Sequence, residues 1–153
     1  MTHQAHMQRA VDIARRSKQD GGAAIGAVLV HNTTGEIVAT GESLVRHTMD
    51  PSAHAETNCI RQACSQLQSL DLGDYSLYCT LEPCHMCLSC AAWAGLPAIY
   101  FGAYREDVDG ALFEVGGDYS AEKLAANMQL PSDRTMTVTG GVLRQECADL
   151  LRS

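Results

Sequence analysis

Two short stretches contain side chains able to do chemistry together. "DPSAHAE" at 50–56 carries His54 and Glu56, and "EPCHMC" at 82–87 carries Cys84 and Cys87. Two thiolates and a neutral imidazole balance the charge of a divalent ion, and this donor softness suits zinc. Cys84 and Cys87 follow Pro83 on the first turn of a predicted helix, where residues three apart share a face. The free N–H groups and positive dipole end of that turn favour thiolates. His54 opens another predicted helix, so two helix N-termini could converge on one ion. Three protein ligands leave a fourth position open, which is the catalytic rather than the structural pattern.

Rival readings stay open at this level. Cys90 or His85 would complete a closed, four-ligand site, and the chain would then be a non-catalytic zinc domain. A bacterial-type iron–sulfur run is excluded, because it needs a cysteine followed by proline where Ala94 and Gly95 stand. Glu56 is ambiguous too. Positions i and i+2 of a helix do not share a face, so its spacing reads as a first-turn acid complementing the helix dipole.

The elements that must position these residues follow from periodicity. Residues 4–18 carry Met7, Ala10, Val11 and Ala14 at helical spacing, and "DGG" at 20–22 stops that helix. "IGAVLVH" and "IVATGESL" flank "NTTGE" and read as two strands joined by a turn. "DPSAHAETNCIRQACSQL" reads as a helix with Ser52 as N-cap and Ala55, Cys59, Ile60 and Ala63 as its apolar stripe. "YSLYCTL" is a half-buried strand, "PCHMCLSCAAWAG" a helix, "AIYFGA" a strand, and 120–128 and 141–152 are helical. Residues 105–118 form a loop by composition. Alternating strands and helices imply an α/β sandwich with helices packed on a mixed sheet, in a single domain spanning residues 1–153.

Composition sets outer bounds. A chain of 153 residues buries about two-thirds of its unfolded surface. The formal charge is −7, and the densest basic run is Arg15, Arg16 and Lys18, so nucleic acid is a disfavoured partner. The longest apolar run, "AAIGAVLV", is too short to span a bilayer. Residues 1–20 lack the apolar core of a signal peptide, and seven cysteines then point to a reducing cytoplasm.

His54-Ala55-Glu56 followed by Pro83-Cys84-His85-Met86-Cys87 matches the H-x-E…P-C-x-x-C signature of zinc nucleobase deaminases. With "GAVLV", "DPSAHAE", "LYCTLEPCHMC", "IYFGA" and "GVLRQECADLL", the chain resembles the cytidine deaminase superfamily. The branch is that of guanine deaminases and bacterial tRNA adenosine deaminases. The resemblance implies a three-layer α/β/α sandwich with a five-stranded mixed sheet, and a homodimer. It also implies that His54, Cys84 and Cys87 hold zinc with a water in the fourth position. Glu56, not a ligand, would carry protons from that water to the ring nitrogen and the departing ammonia. Backbone N–H groups at Ala55 and Cys84 would anchor substrate.

The substrate is less legible. Ser43 stands where this branch commonly has a substrate-binding asparagine, and a hydroxyl cannot reproduce the paired donor and acceptor of an amide. Ile25 would present an aliphatic wall. Trp93 lies where guanine deaminases tend to place a tryptophan and could stack on a flat ring, or could be core. Asp107 and Asp109 fall where relatives build part of the pocket mouth and could accept N–H groups, or could be solvated loop acids. Acidic charge and Trp93 favour a small amino-heterocycle, guanine-type ahead of cytosine-type. The "GVLRQECADLL" ending favours tRNA adenosine.

Overall fold

The computed structural model describes residues 2–108 and 119–152. Helix α1 (His3–Gln19) is followed by strands β1 (Gly26–His31) and β2 (Ile37–Glu42), a one-turn helix α2 (Val45–Thr48) and helix α3 (Ala55–Leu67). Strand β3 (Tyr75–Leu81), helix α4 (His85–Trp93), strand β4 (Ala98–Ala103), helix α5 (Ala121–Ala126), strand β5 (Thr137–Thr139) and helix α6 (Arg144–Leu150) complete the order. The five strands form one sheet in the order β2-β1-β3-β4-β5. β1 is antiparallel to both β2 and β3, whereas the β3–β4 and β4–β5 pairs are parallel. The sheet is therefore mixed, as expected.

Alternation along the strands feeds two hydrophobic layers, because successive side chains leave a strand on opposite faces. Ala27 and Leu29 of β1 and Leu77 and Cys79 of β3 pack with α3 and α4, around Leu88 and Phe101. Val28 and Val30 of β1 and Tyr78 of β3 pack on the other face with Met7, Ala10, Val11 and Ala14 of α1 and Cys147 of α6. Helices thus cover both faces. Burying a side chain the size of Leu29 or Phe101, both inaccessible to solvent, contributes about 1.5–3 kcal/mol.

One close approach matters for the site. A Cβ at Gly41 of β2 would fall on the carbonyl oxygen of Ala55 and lie 2.7 Å from the amide nitrogen of Cys59. Only glycine lets the first turn of α3 rest directly on the edge strand, and that turn carries Glu56.

Several boundaries differ from the sequence expectation. His54, not Ser52, is the N-cap of α3, with extended φ −71° and ψ 163°. Ser52 instead closes a local turn, its N–H and hydroxyl donating to Asp50 Oδ1 at 2.9 and 2.7 Å. The helices expected over 120–128 and 141–152 are shorter, and residues 105–107 form a single 3₁₀ turn. Periodicity did not reveal α2 or the three-residue β5, both too short to display a period.

Candidate active site

Local chemistry sets the two ligand-bearing turns. Ahead of α3, Thr57 Oγ1 donates to the carbonyls of Ser52 and His54, the latter at 3.1 Å. The Asn58 amide donates to the carbonyls of Glu42 (2.9 Å) and Ala53 (3.1 Å), tying the end of β2 to the start of α3. Ahead of α4, Cys84 is the N-cap, in extended conformation at φ −74° and ψ 174°. The Tyr119 hydroxyl donates to the Pro83 carbonyl, and its ring lies against His85, with centroids 4.0 Å apart.

The two turns meet. His54 Nδ1 lies 3.7 Å from Cys84 Sγ and 3.5 Å from Cys87 Sγ, and the two sulfurs are 3.6 Å apart. Tetrahedral zinc with Zn–S about 2.3 Å and Zn–N about 2.0–2.1 Å needs donor separations of about 3.8 Å between sulfurs and about 3.6 Å between nitrogen and sulfur. The observed triangle fits that ion. Among the described residues this is the group of histidine, cysteine and acidic side chains able to hold a metal, and it includes neither Cys90 nor His85. The protein therefore leaves the fourth position of the tetrahedron to another ligand.

Electrostatics in the cluster are strongly perturbed. The sulfur–sulfur contact with Cys87 pushes Cys84 down to about 4, against the opposing effect of its burial. The same contact raises Cys87. His54 is raised, first by its hydrogen bond with Cys84. Glu56 is buried, 4% exposed, on the first turn of α3. Burial pushes its carboxyl up to about 7, opposed by a hydrogen bond from Cys87. A carboxyl poised there can both take and give a proton at neutral pH.

Glu56 and His54 line the floor of a cavity of about 540 Å³, whose walls include Ala23, Ala24, Ile25, Ser43, Val45, Ala55 and Leu151. Five residues singled out from sequence thus share one space: Ile25, Ser43, His54, Ala55 and Glu56. Trp93 lies elsewhere. It is at the far end of α4 from the ligands and 84% exposed, beside Met128, Leu130 and Pro131, and so is neither core nor cavity wall. Asp107 is also placed apart, because its carboxylate is engaged structurally. Arg144 donates to both of its oxygens at 2.8 Å, the Tyr104 N–H donates to Oδ2, and the guanidinium holds the carboxyl below the usual carboxylate range. Asp109 lies outside the described residues.

The match to known proteins is direct. Residues 1–103 match the family described as the cytidine and deoxycytidylate deaminase zinc-binding region. The chain belongs to the cytidine and deoxycytidylate deaminase family. This deaminase is 39% identical over 115 residues to the guanine deaminase of Bacillus subtilis, covering 74% of this chain and 72% of that one. It is 36% identical over 154 residues to the chloroplastic tRNA(adenine(34)) deaminase of Arabidopsis thaliana, covering 95% of this chain but spanning only 12% of that protein's length. A guanine deaminase structure from Nitrosomonas europaea superposes with a TM-score of 0.86 at 26% identity, covering 99% of this chain and 83% of that one. Membership makes the chain a zinc-dependent hydrolase of C–N bonds. When bound, zinc supplies a Lewis acid that lowers the pKa of a water towards about 7.

Sequence reading missed two kinds of residue. Arg46, Val45 and Leu151 line the cavity, brought there by α2 and the end of α6, and no chemistry-bearing motif marked them, although Leu151 closes the "GVLRQECADLL" segment. Glu82 is the other. Only 5% exposed, its carboxylate accepts the N–H groups of Arg105 (3.0 Å) and Ala121 (2.9 Å), pinning the segment after β4 and the start of α5 beside Cys84. A carboxylate directly before Pro83 in an otherwise apolar strand end was the available signal. Glu82→Ala should cost about 1–3 kcal/mol by stranding two backbone donors, which at about 2–4 °C per kcal/mol is a clear fall in Tm. The variant should also release zinc to a chelator faster, and unchanged Tm and zinc retention together would show that this brace is dispensable.

No helix among the described residues is long and apolar enough to cross a membrane.

Proposed function

We propose that this deaminase hydrolyses a small amino-substituted heterocycle, a nucleobase or nucleoside, with a guanine-type ring ahead of a cytosine-type one. The observation that carries the reading is the cavity itself, which runs between aliphatic walls at Ile25, Val45 and Leu151 down to the buried Glu56. Such walls accept a flat ring edge-on to the cluster, as small-molecule pockets do. The guanine-type preference is supported by the similarity to guanine deaminases of B. subtilis and N. europaea.

In this reading His54, Cys84 and Cys87 hold zinc. Water adds to the amino-bearing ring carbon while Glu56 takes its proton and passes it to the ring nitrogen. Glu56 then takes the proton of the new ring hydroxyl and delivers it to the amino group, the C–N bond breaks, and the products are a ring carbonyl and ammonia. Ser43, Ile25 and the Ala55 backbone meet the substrate. The exposed Trp93 face supports a homodimer in which a second copy covers it. Seven free cysteines support a reducing cytoplasm as its compartment.

A second reading, deamination of adenosine in tRNA, is favoured by the extended identity to the Arabidopsis protein and opposed by a charge of −7. An ammonia-release screen over guanine, cytosine, adenine, their nucleosides and amino-triazines, beside an anticodon-arm RNA, tests both. Release from a free base or nucleoside is the expected result. Deamination of the RNA alone would replace the first reading by the second.

A further inference from the structure

Helix α1 ends at the deaminase cavity, where Gly21 and Gly22 follow it, and begins at a second cavity of about 620 Å³. The start of α1, the β1–β2 turn and the adjoining part of the sheet enclose this second space. Three of the six histidines line it, His3, His6 and His31, and none of the zinc-cluster residues does. Among the described residues no aspartate or glutamate lines it, in a chain that carries 18 acids. Two of the histidines are firmly held. His3 Nδ1 shares a 2.6 Å hydrogen bond with the Tyr78 hydroxyl, and its ring stacks on Tyr100 with centroids 4.3 Å apart. His6, 4% exposed, lies against Tyr78 with centroids 5.1 Å apart, yet its Nδ1 has no hydrogen-bond partner among the described residues.

Four side-chain acceptors of this cavity are already taken from within. The Thr33 and Thr34 N–H groups donate to His31 Nδ1 at 3.2 and 3.3 Å. A neutral imidazole that accepts at Nδ1 carries its hydrogen at Nε2, so His31 is left with a donor. The Ser76 hydroxyl donates to the Asn32 amide oxygen at 2.5 Å, which leaves the Asn32 NH2 group. The Thr2 hydroxyl accepts the Ala5 N–H and the Thr34 hydroxyl accepts the Glu36 N–H, both at 3.2 Å. Neither His31 Nε2 nor the Asn32 amide nitrogen has a partner among the described residues. Helix α1, 17 residues long and without an acid in its first turn, adds first-turn N–H groups and its positive dipole end. Donors are left over, and acceptors are not.

We propose that this cavity is a second binding site, separate from the catalytic one, for a small ligand that presents an oxyanion, a phosphate or a carboxylate. An oxyanion is an acceptor without donors, which is the complement of what the cavity has unspent. It would draw together the His31 and Asn32 donors, the stranded imidazole of His6 and the start of α1, where anions are at home. A neutral polyol or amide would bring donors of its own to a place whose acceptors are occupied. A metal ion does not suit it either, because the three imidazoles form no ligand cluster and no carboxylate joins them. The inference does not depend on which heterocycle is deaminated at the other end of α1.

The test is side-chain NMR of the zinc-loaded enzyme with isotope-labelled histidines. Inorganic phosphate, methyl phosphate and acetate are titrated in turn, with chloride holding the ionic strength constant. Saturable shifts at His3, His6 and His31, with His47, His54 and His85 unmoved, are the expected result for at least one of the three. The anion that saturates at the lowest concentration tells free phosphate, phosphate ester and carboxylate apart. His6→Phe keeps a ring in the wall and removes the stranded nitrogen. It should weaken binding by about 10- to 100-fold, the loss of a charge-assisted hydrogen bond, while Tm holds or rises. Asn32→Asp retains an acceptor for Ser76 and sets a negative charge in the cavity, so it should abolish binding. Both variants should keep one zinc per chain and wild-type deamination.

Shifts that never saturate, or that chloride alone reproduces, would overturn the site. Shifts confined to His54 would place the anion at the zinc cluster and overturn it equally. Binding that survives both His6→Phe and Asn32→Asp would do the same, leaving His6 as an imperfectly satisfied core residue.

Discussion

Replacing Glu56 with glutamine should reduce deamination by more than about 10²-fold, the lower end of what general acid–base catalysis contributes, while zinc content stays at one per chain. The shape is retained and the proton carrier is lost. The buried carboxyl is pushed up to about 7 by desolvation, so it is poised to exchange a proton at neutral pH. Glutamine has no such proton. Because one group would serve the water, the ring nitrogen and the leaving ammonia, the loss should reach or exceed about 10⁴-fold when chemistry limits the rate. Steady-state ammonia release and metal analysis on the same preparation check it. A variant that keeps more than a tenth of wild-type turnover, with chemistry limiting, would remove Glu56 from the mechanism.

Cys87→Ala should strip the enzyme of zinc and of activity together. Cys87 is inaccessible to solvent, and its sulfur forms two sides of the donor triangle, 3.5 Å to His54 and 3.6 Å to Cys84. Two remaining ligands leave an open site that competes poorly with water and chelators. Changes to groups that merely orient ligands already cost about 10- to 100-fold in metal affinity, so loss of a ligand should exceed that. The folded state also loses the stabilisation that a ligand contributes by mass action, about 4 kcal/mol at a thousandfold excess over Kd. Thermal unfolding should therefore fall in step with zinc content. Cys90→Ala is the comparison and should keep one zinc per chain, since Cys90 lies outside the donor cluster. Full zinc in Cys87→Ala, or its loss in Cys90→Ala, would reassign the ligands.

Both variants rest on a juxtaposition that local sequence describes only in part. The donor types are legible because metal chemistry restricts them: a histidine and a C-x-x-C pair read as soft ligands, and Pro83 marks the turn that carries the pair. The alternating faces of β1 and β3 are equally legible, since a strand's period of two is a property of the chain itself. From these follow the mixed sheet and the helices on its two faces.

Tertiary structure decided what spacing could not. Helical geometry separates positions i and i+2, so spacing alone could not place Glu56 beside His54, and only the family resemblance did. The structure makes His54 an extended N-cap outside the helix proper, which frees its ring to meet the cysteines while Glu56 stays on the first turn. Gly41 then lets that turn settle on β2.

Trp93 shows the opposite failure. Its size argues for a core or a stacking role, yet it stands 84% exposed, because α4 turns its N-terminal end, not its C-terminal one, towards His54. Asp107 is likewise drawn away by Arg144, a partner 37 residues later that no local pattern announces. Arg46 reaches the cavity only because a one-turn helix folds back over it. By itself the sequence determined the metal chemistry and the layered sheet, because both arise from residue types and short-range periods. Which side chains line the cavity was decided only by tertiary structure, because it is assembled from segments that lie far apart along the chain.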